Sequence, residues 1–414
     1  MRSSSRFVAA IAMTAIVAGA CSNSATPSPA ATPTPAPTAA AVTLTAASFT
    51  ADFSAMAQLT GATAAGSGMV GVILPDVTTS ARYTSYDLPY LTQAFTAAGY
   101  TAGQFKIDNA SGTTATEVSI ATADITAGAK VLLVDPLDGP TGLAIQTLAA
   151  QANIPYISYD RATFQGTNTY YVSFDNVQVG KLIGQGFMQC ITDWKVASPQ
   201  VYQLDGGEDT DPNAISFAAG YNNVIWGTDL SNAAVLTSGT NSAGYKLVGD
   251  AIAPGWDNTQ GQAIFQTAFT ANTKINATVE ANDGLANAVI TVLKGAGVKA
   301  NTIPTTGQDA TIQGMENVLQ GYQCGSVYKP IYIEAQAAVA LATILRAGQT
   351  PSTDLVNGTT KDPKSATTEP AVLLTPMWVD ASNMEATVIK DKFVSVTDLC
   401  NAVTAAVCTA AGIS

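Results

Sequence analysis

Short apolar runs that end in an acid or amide alternate along this chain with helix-period segments, and this pattern constrains the fold more than any other feature. The run Met69–Leu74 is followed by Pro75-Asp76, and a helical pattern through Tyr90, Leu91, Ala94, Phe95 and Ala98 stops at Gly99. The same unit repeats with strands predicted at Gln104–Ile107, Val131–Val134 and Tyr156–Tyr159, and helices at Thr116–Ala127 and Gly142–Ala152. Strands alternating with helices of this length mean βαβ units and a parallel sheet. After Tyr171–Phe174 the alternation starts again. It predicts helices at Val179–Thr192, Ala214–Val224, Thr259–Ala271, Leu285–Ala296, Ile312–Leu319 and Ile333–Leu345, and strands at Gln200–Leu204, Tyr245–Ala251, Ala277–Glu280, Thr302–Thr306, Ser326–Tyr328 and Ala371–Leu374. Two α/β lobes explain this count better than one large sheet, and 414 residues suffice for more than one core.

The strand ends carry the candidate chemistry. Asp76, Asp135, Asp160-Arg161, Asp175-Asn176, Asp205, Asn282-Asp283, Asp309 and Lys329 each fall where a run closes. Singly, Asp and Asn there are ordinary turn and helix-cap residues. As a set they matter more, because open α/β sheets hold small ligands beyond the carboxyl ends of their strands. Carboxylates, amides and a few cations recognise a neutral polyhydroxylated ligand, and an aromatic plate such as Trp256 can cover the C–H face of a sugar ring.

Composition narrows the classes. The chain has no His, so His-based triads, bases and metal ligands are excluded. A net charge of −12 argues against nucleic acid or an anionic membrane surface as partner. No metal or cofactor is expected. Arg2 and Arg6 precede the apolar run Phe7–Ala20, which is too short to span a bilayer and reads as an export signal. Ala18-Gly19-Ala20-Cys21 resembles a bacterial lipobox with Ala at its first position, so residues 1–21 are read as a lipoprotein signal with Cys21 lipidated; plain signal cleavage nearby is the alternative. Residues 22–45, nearly all Ala, Thr, Pro and Ser, read as a tether. Export favours disulfides. Cys400 with Cys408 closes a short loop and is the preferred pair, leaving Cys190 and Cys324 to pair or to remain buried thiols.

Six segments together resemble one family: YDR at Tyr159–Arg161, YVSFDN at Tyr171–Asn176, AND at Ala281–Asp283, TGQDA at Thr306–Ala310, VYKPI at Val327–Ile331 and LLTP with VIKDKF between Leu373 and Phe393. In that order they resemble the xylose-binding group of ribose-type periplasmic binding proteins, over about Val70 to Phe393. The resemblance implies a type I fold, two Rossmann-like lobes joined by three crossover strands, with sugar clasped between them. It implies an N-terminal lobe of 70–172 plus 330–374, a C-terminal lobe of 173–329 plus 375–414, and pivots near Ser173, Lys329 and Leu374. Its binding residues map to Arg82, Asp160, Arg161, Asp211, Asn213, Trp256, Asn282, Asp309 and Lys329. Tyr83 stands where the family has Trp, and Pro212 where it has Asn. The implied role is a monomeric, membrane-anchored, non-enzymatic component of an ABC sugar importer, handing its closed form to a permease. The first-choice ligand is D-xylose, with glucose or arabinose as runner-up. A sensor feeding a chemoreceptor or histidine kinase is the alternative, and a glycosidase using Asp160 and Asp309 is the enzymatic one.

Overall fold

The computed structural model describes residues 42–77, 82–164, 168–208, 210–228, 239–362, 365 and 367–413. The expected signal, Cys21 and the tether up to residue 41 lie outside these residues. Leu44 is buried in the core, so packed chain begins before the expected end of the tether at residue 45.

The first half builds α1 (Thr60–Ala65), β1 (Met69–Leu74), a π turn (Tyr83–Asp87) leading into α2 (Leu88–Ala97), β2 (Phe105–Asn109), α3 (Thr114–Thr126), β3 (Ala129–Val134), α4 (Gly139–Gln151), β4 (Tyr156–Tyr159) and β5 (Thr169–Phe174). The second builds α5 (Asn176–Asp193), β6 (Gln200–Gly206), α6 (Pro212–Trp226), β7 (Gly239–Thr240), β8 (Lys246–Ala253), α7 (Asn258–Ala271), β9 (Ala277–Glu280), α8 (Asp283–Gly295), α9 (Ile312–Leu319) and β10 (Ser326–Tyr328). The chain then forms α10 (Ile331–Arg346), β11 (Gly358–Lys361), β12 (Thr368–Leu374), β13 (Met377–Val379), α11 (Val396–Val403) and α12 (Ala405–Ala410).

One sheet has the order β11-β12-β5-β4-β3-β1-β2, parallel except for the β11–β12 hairpin. A second has the order β7-β8-β6-β9, with β6 flanked by parallel β8 and β9. The chain crosses between the two lobes three times, after Phe174, after Tyr328 and after Leu374. β5 therefore runs two residues past the boundary expected at Val172. Branched apolar residues fill the parallel strands, which are covered on both faces as such sheets require: Val131, Leu132, Leu133 and Val134 are all fully buried.

The strand expected at Thr302–Thr306 is not regular, although its segment occupies that place in the sheet. Thr278 N and Thr278 Oγ1 donate to Pro304 O, and on the other side Cys324 N donates to Thr305 O and Val327 N to Gly307 O. Pro304 has no N–H to give to a ladder. Side chains complete the pairing: Thr306 N donates to Glu280 Oε2 at 2.8 Å and Glu280 N to Thr306 Oγ1 at 2.9 Å. β10 and β13 form a separate antiparallel pair on the far side of this segment.

Helices α5 and α6 cross at glycines. A Cβ on Gly180 would lie 2.0 Å from Phe217 O, and one on Gly220 would lie 2.4 Å from Val177 O, so only glycine permits this approach. Both cysteine pairs are disulfides: Cys190–Cys324 ties α5 to the loop before β10, and Cys400–Cys408 joins α11 to α12. The second pair that the sequence left open is thus bridged.

Candidate functional site

Loops at the carboxyl ends of β1 and β4 from the first lobe face loops after β6, β8 and β9 from the second. Connections diverge between β1 and β3 in the first sheet and between β6 and β9 in the second, and ligands in open α/β sheets are held beyond the strand ends at such points. All ten expected residues line one inner chamber there, joined by Phe217 and Gln308. Its volume of about 40 Å³ is room for about one water.

Arg82 forms the floor. Its Nε and Nη2 donate to the two carboxylate oxygens of Asp87 at 2.9 and 2.8 Å, Nη1 donates to Asp160 Oδ1 at 2.7 Å, and Nη2 also donates to Glu334 Oε2 at 2.8 Å. Four bonds from a group with five N–H donors make Arg82 chiefly a clamp on buried acids rather than a free ligand donor. Burial alone would raise the Asp160 carboxyl, but Arg82, Lys329 and Arg161 outweigh it and hold Asp160 below its ordinary range. Burial pushes Glu334 up to about 8 despite Arg82.

Arg161 is arranged differently. Its Nη1 reaches Pro136 O and Leu137 O only at 3.4 and 3.3 Å, and its Nε lies 3.9 Å from Asp135. Arg82 and Arg161 both lie over the Tyr83 ring, at 5.7 and 5.6 Å from its centre. Arg161 thus keeps strong donor capacity pointed at the chamber.

From the second lobe, Asp211 caps α6 through Oδ1, which accepts from Asn213 N and Ala214 N, and its Oδ2 accepts from Trp256 Nε1 at 2.8 Å. Gly206 makes room for that indole, since a Cβ there would lie 2.0 Å from the Trp256 ring. Asn282 Oδ1 caps α8 by accepting from Leu285 N. The ordinary helix-cap role and a place in the chamber wall coincide in both residues. Asn213 spans the cleft, donating from Nδ2 to Asp160 O at 2.7 Å and accepting at Oδ1 from Tyr171 and Asn176. A second interlobe contact stacks Tyr86 on Phe393 with centres 4.2 Å apart, so the lobes are closed on each other.

Asp309 and Lys329 form an ion pair at 2.9 Å, with Lys329 Nζ 5.9 Å from the centre of the Phe217 ring. Burial would lower the Lys329 ammonium, but Asp309 and Asp160 raise it. The pair is not aligned as a hydrogen bond, and Asp309 Oδ1 keeps accepting capacity. Beside it, Gln308 donates from Nε2 to Ala281 O, while its buried Oε1 has no hydrogen-bond partner. Asp160, Trp256 and Asp309 adopt φ of 57°, 60° and 91°, strained values of the kind that cluster at ligand sites.

The chamber therefore offers unspent acceptors and one under-used guanidinium, with three acids, Asp160, Asp211 and Asp309, matched by three cations, Arg82, Arg161 and Lys329. That balance suits a neutral ligand rich in hydroxyls. Among the described residues no cluster of three or more acids or cysteines suited to a metal occurs.

A periplasmic binding protein domain model matches residues 70–350. The chain belongs to the periplasmic binding protein family. This member is 32% identical over 289 residues to the D-xylose-binding periplasmic protein of Escherichia coli, spanning 69% of this chain and 80% of that protein. It is 29% identical to the multiple sugar-binding periplasmic receptor ChvE of Rhizobium radiobacter, over 79% of this chain and 91% of that one. Among solved structures, an ABC transporter solute-binding protein from Clostridium phytofermentans with bound β-D-glucose superposes with a TM-score of 0.65 at 25% identity, covering 80% of this chain and 99% of that one. A carbohydrate transporter solute-binding protein from Chloroflexus aurantiacus shares the fold with a TM-score of 0.66, covering 80% and 97%. The likeness to xylose-binding proteins expected from the YDR, AND, GQDA and YKP motifs is thus present across the body of the chain.

The sequence reading missed four contributors. Phe217 lies in an apolar helical run that reads as core, and Gln308 sits inside the GQDA motif beside the more conspicuous Asp309. Asp87 and Glu334, the buried partners of Arg82, were also missed. Glu334 did carry a signal: an acid within the apolar run of α10 must be paired if it is buried.

Proposed function

We propose that this protein binds a neutral monosaccharide in the cleft between its lobes and delivers it to an ABC importer. The observation that supports the reading is the convergence of the ten residues mapped from the resemblance, from both lobes, on one chamber with unspent acceptors. D-xylose is the first-choice ligand, in keeping with the Escherichia coli relative, and D-glucose the runner-up, in keeping with the sugar-bound relative from Clostridium.

In this reading Arg161 donates to ring or hydroxyl oxygens, and Asp160, Asp309 and Gln308 accept from hydroxyls. Trp256 covers the C–H face of the ring. The first lobe comprises 70–172 with 330–374, the second 173–329 with 375–414. A sugar is larger than the inner chamber, so entry requires the lobes to part about the three crossovers, and a bound ring keeps that chamber wider than it is here. Bonds from both lobes then favour reclosure, and the closed form is what a permease recognises. The protein acts by binding rather than turnover, as a monomer held to the outer face of the cytoplasmic membrane by lipid on Cys21. One relative is named a receptor, which favours sensing as a second role for the same closed form.

A thermal-shift screen of pentoses and hexoses, with uronic acids as anionic controls, tests the proposal. It expects stabilisation by one or a few neutral aldoses and none by the acids. No stabilisation by any neutral sugar would remove the reading.

A further inference from the structure

The inner chamber opens past Arg161, Asp211 and Trp256 into a second, larger one of about 310 Å³, still between the two lobes. Those three residues line both spaces, so the cleft is continuous: narrow and polar inside, wider and less polar outside. Its first-lobe wall comes from the β3–α4 loop, including Pro136 and Leu137, and its second-lobe wall from Pro212 and Trp256. Four carboxylates, Asp76, Asp138, Glu208 and Asp211, line it against the single cation Arg161. Two of these acids already serve helix caps, Asp138 for α4 and Asp211 for α6.

Resting on the sugar-binding reading above, we infer that the outer chamber is a second sugar subsite, and that the cleft takes a neutral disaccharide with one ring inside, over Trp256, and the other against Leu137 and Pro212. Its volume lies in the range of small-ligand pockets. An acidic rim rejects phosphorylated or uronate substituents and tolerates a neutral ring. Apolar walls at Pro136, Leu137 and Pro212 suit the C–H faces of a second ring. The glycines at its edge leave the space clear. A methyl group on Gly139 would meet nothing nearer than Thr210 O at 3.9 Å, and Gly139 has no left-handed backbone that would forbid a side chain.

That last feature supplies the test. The full chain is titrated calorimetrically with D-xylose and xylobiose, and with D-glucose and cellobiose. The inference expects at least one disaccharide to bind within tenfold of its monosaccharide or tighter. Gly139→Phe should weaken that disaccharide at least tenfold and shift monosaccharide binding less than threefold. Leu137→Trp, which narrows the same space from the neighbouring loop, should do likewise. Monosaccharide binding with every disaccharide more than tenfold weaker overturns the second subsite alone. Disaccharide binding unchanged in both variants also overturns it. Failure of all four sugars to bind overturns the sugar reading itself.

Discussion

Replacing Arg161 with Ala separates a binding role from a structural one, because the two arginines of the chamber are held so differently. Arg161 makes only stretched bonds of 3.3 and 3.4 Å and a 3.9 Å approach to Asp135. Deleting it should cost the fold no more than about 1 kcal/mol, the worth of an ordinary hydrogen bond. Asp135, raised well above the ordinary carboxylate range by burial, can take up a proton when its neighbouring cation goes. Sugar affinity should fall by about 2–4 kcal/mol, between about 30-fold and about 900-fold, since a charge-assisted donor is lost and its partner oxygens go unpaired. Arg82→Met should behave in the opposite way. It strips three carboxylates, Asp87, Asp160 and Glu334, of their shared cation, and breaking such a buried cluster costs about 3–5 kcal/mol of stability. Urea denaturation and calorimetry with the best sugar from the screen measure both quantities. If Arg161→Ala binds sugar within threefold of wild type, or loses as much stability as Arg82→Met, the reasoning from their bonding is wrong.

Burial pushes Glu280 up to about 8 from an ordinary value of 4.5, so its contribution to stability is complete below about pH 4.5 and is lost as pH rises toward 8. Glu280→Gln keeps an oxygen to accept from Thr306 N but has no proton to lose. Melting curves from pH 5 to 8 should therefore fall less steeply for it, by up to about 1.4 kcal/mol per pH unit; equal slopes would refute the assignment. The Cys190–Cys324 bridge spans 134 residues and Cys400–Cys408 spans 8, so chain entropy puts their removal at about 5 and about 2.5 kcal/mol. Denaturation of the paired Ser variants should preserve that order. Cys21→Ser should move the protein from the membrane fraction to the soluble one on cell fractionation, and retention would point to another anchor.

Much of the fold was legible because parallel strands buried on both faces leave unbroken apolar runs: Met69–Leu74 and Tyr156–Tyr159 fall where the pattern placed them. The candidate site was legible because its residues terminate such runs. What escaped were elements whose stability comes from partners outside their own run. β11 is a polar edge strand, Gly358–Lys361, with no apolar alternation, fixed only by its hairpin with β12. The segment around Pro304 looked like a strand by its β-branched residues, yet Glu280 and Thr306 side chains supply its pairing. Arg82 carried a recognisable position but not its bonding, because Asp87 reaches it only across the π turn and Glu334 only after α10 packs on the first sheet.

The most direct measurement is a crystal structure of the chain grown with the sugar that stabilises it best. The account predicts the ring over Trp256, within hydrogen-bond distance of Asp160 or Arg161 from one lobe and of Gln308 or Asp309 from the other. A sugar bonded to one lobe alone, or seated away from these groups, would contradict it.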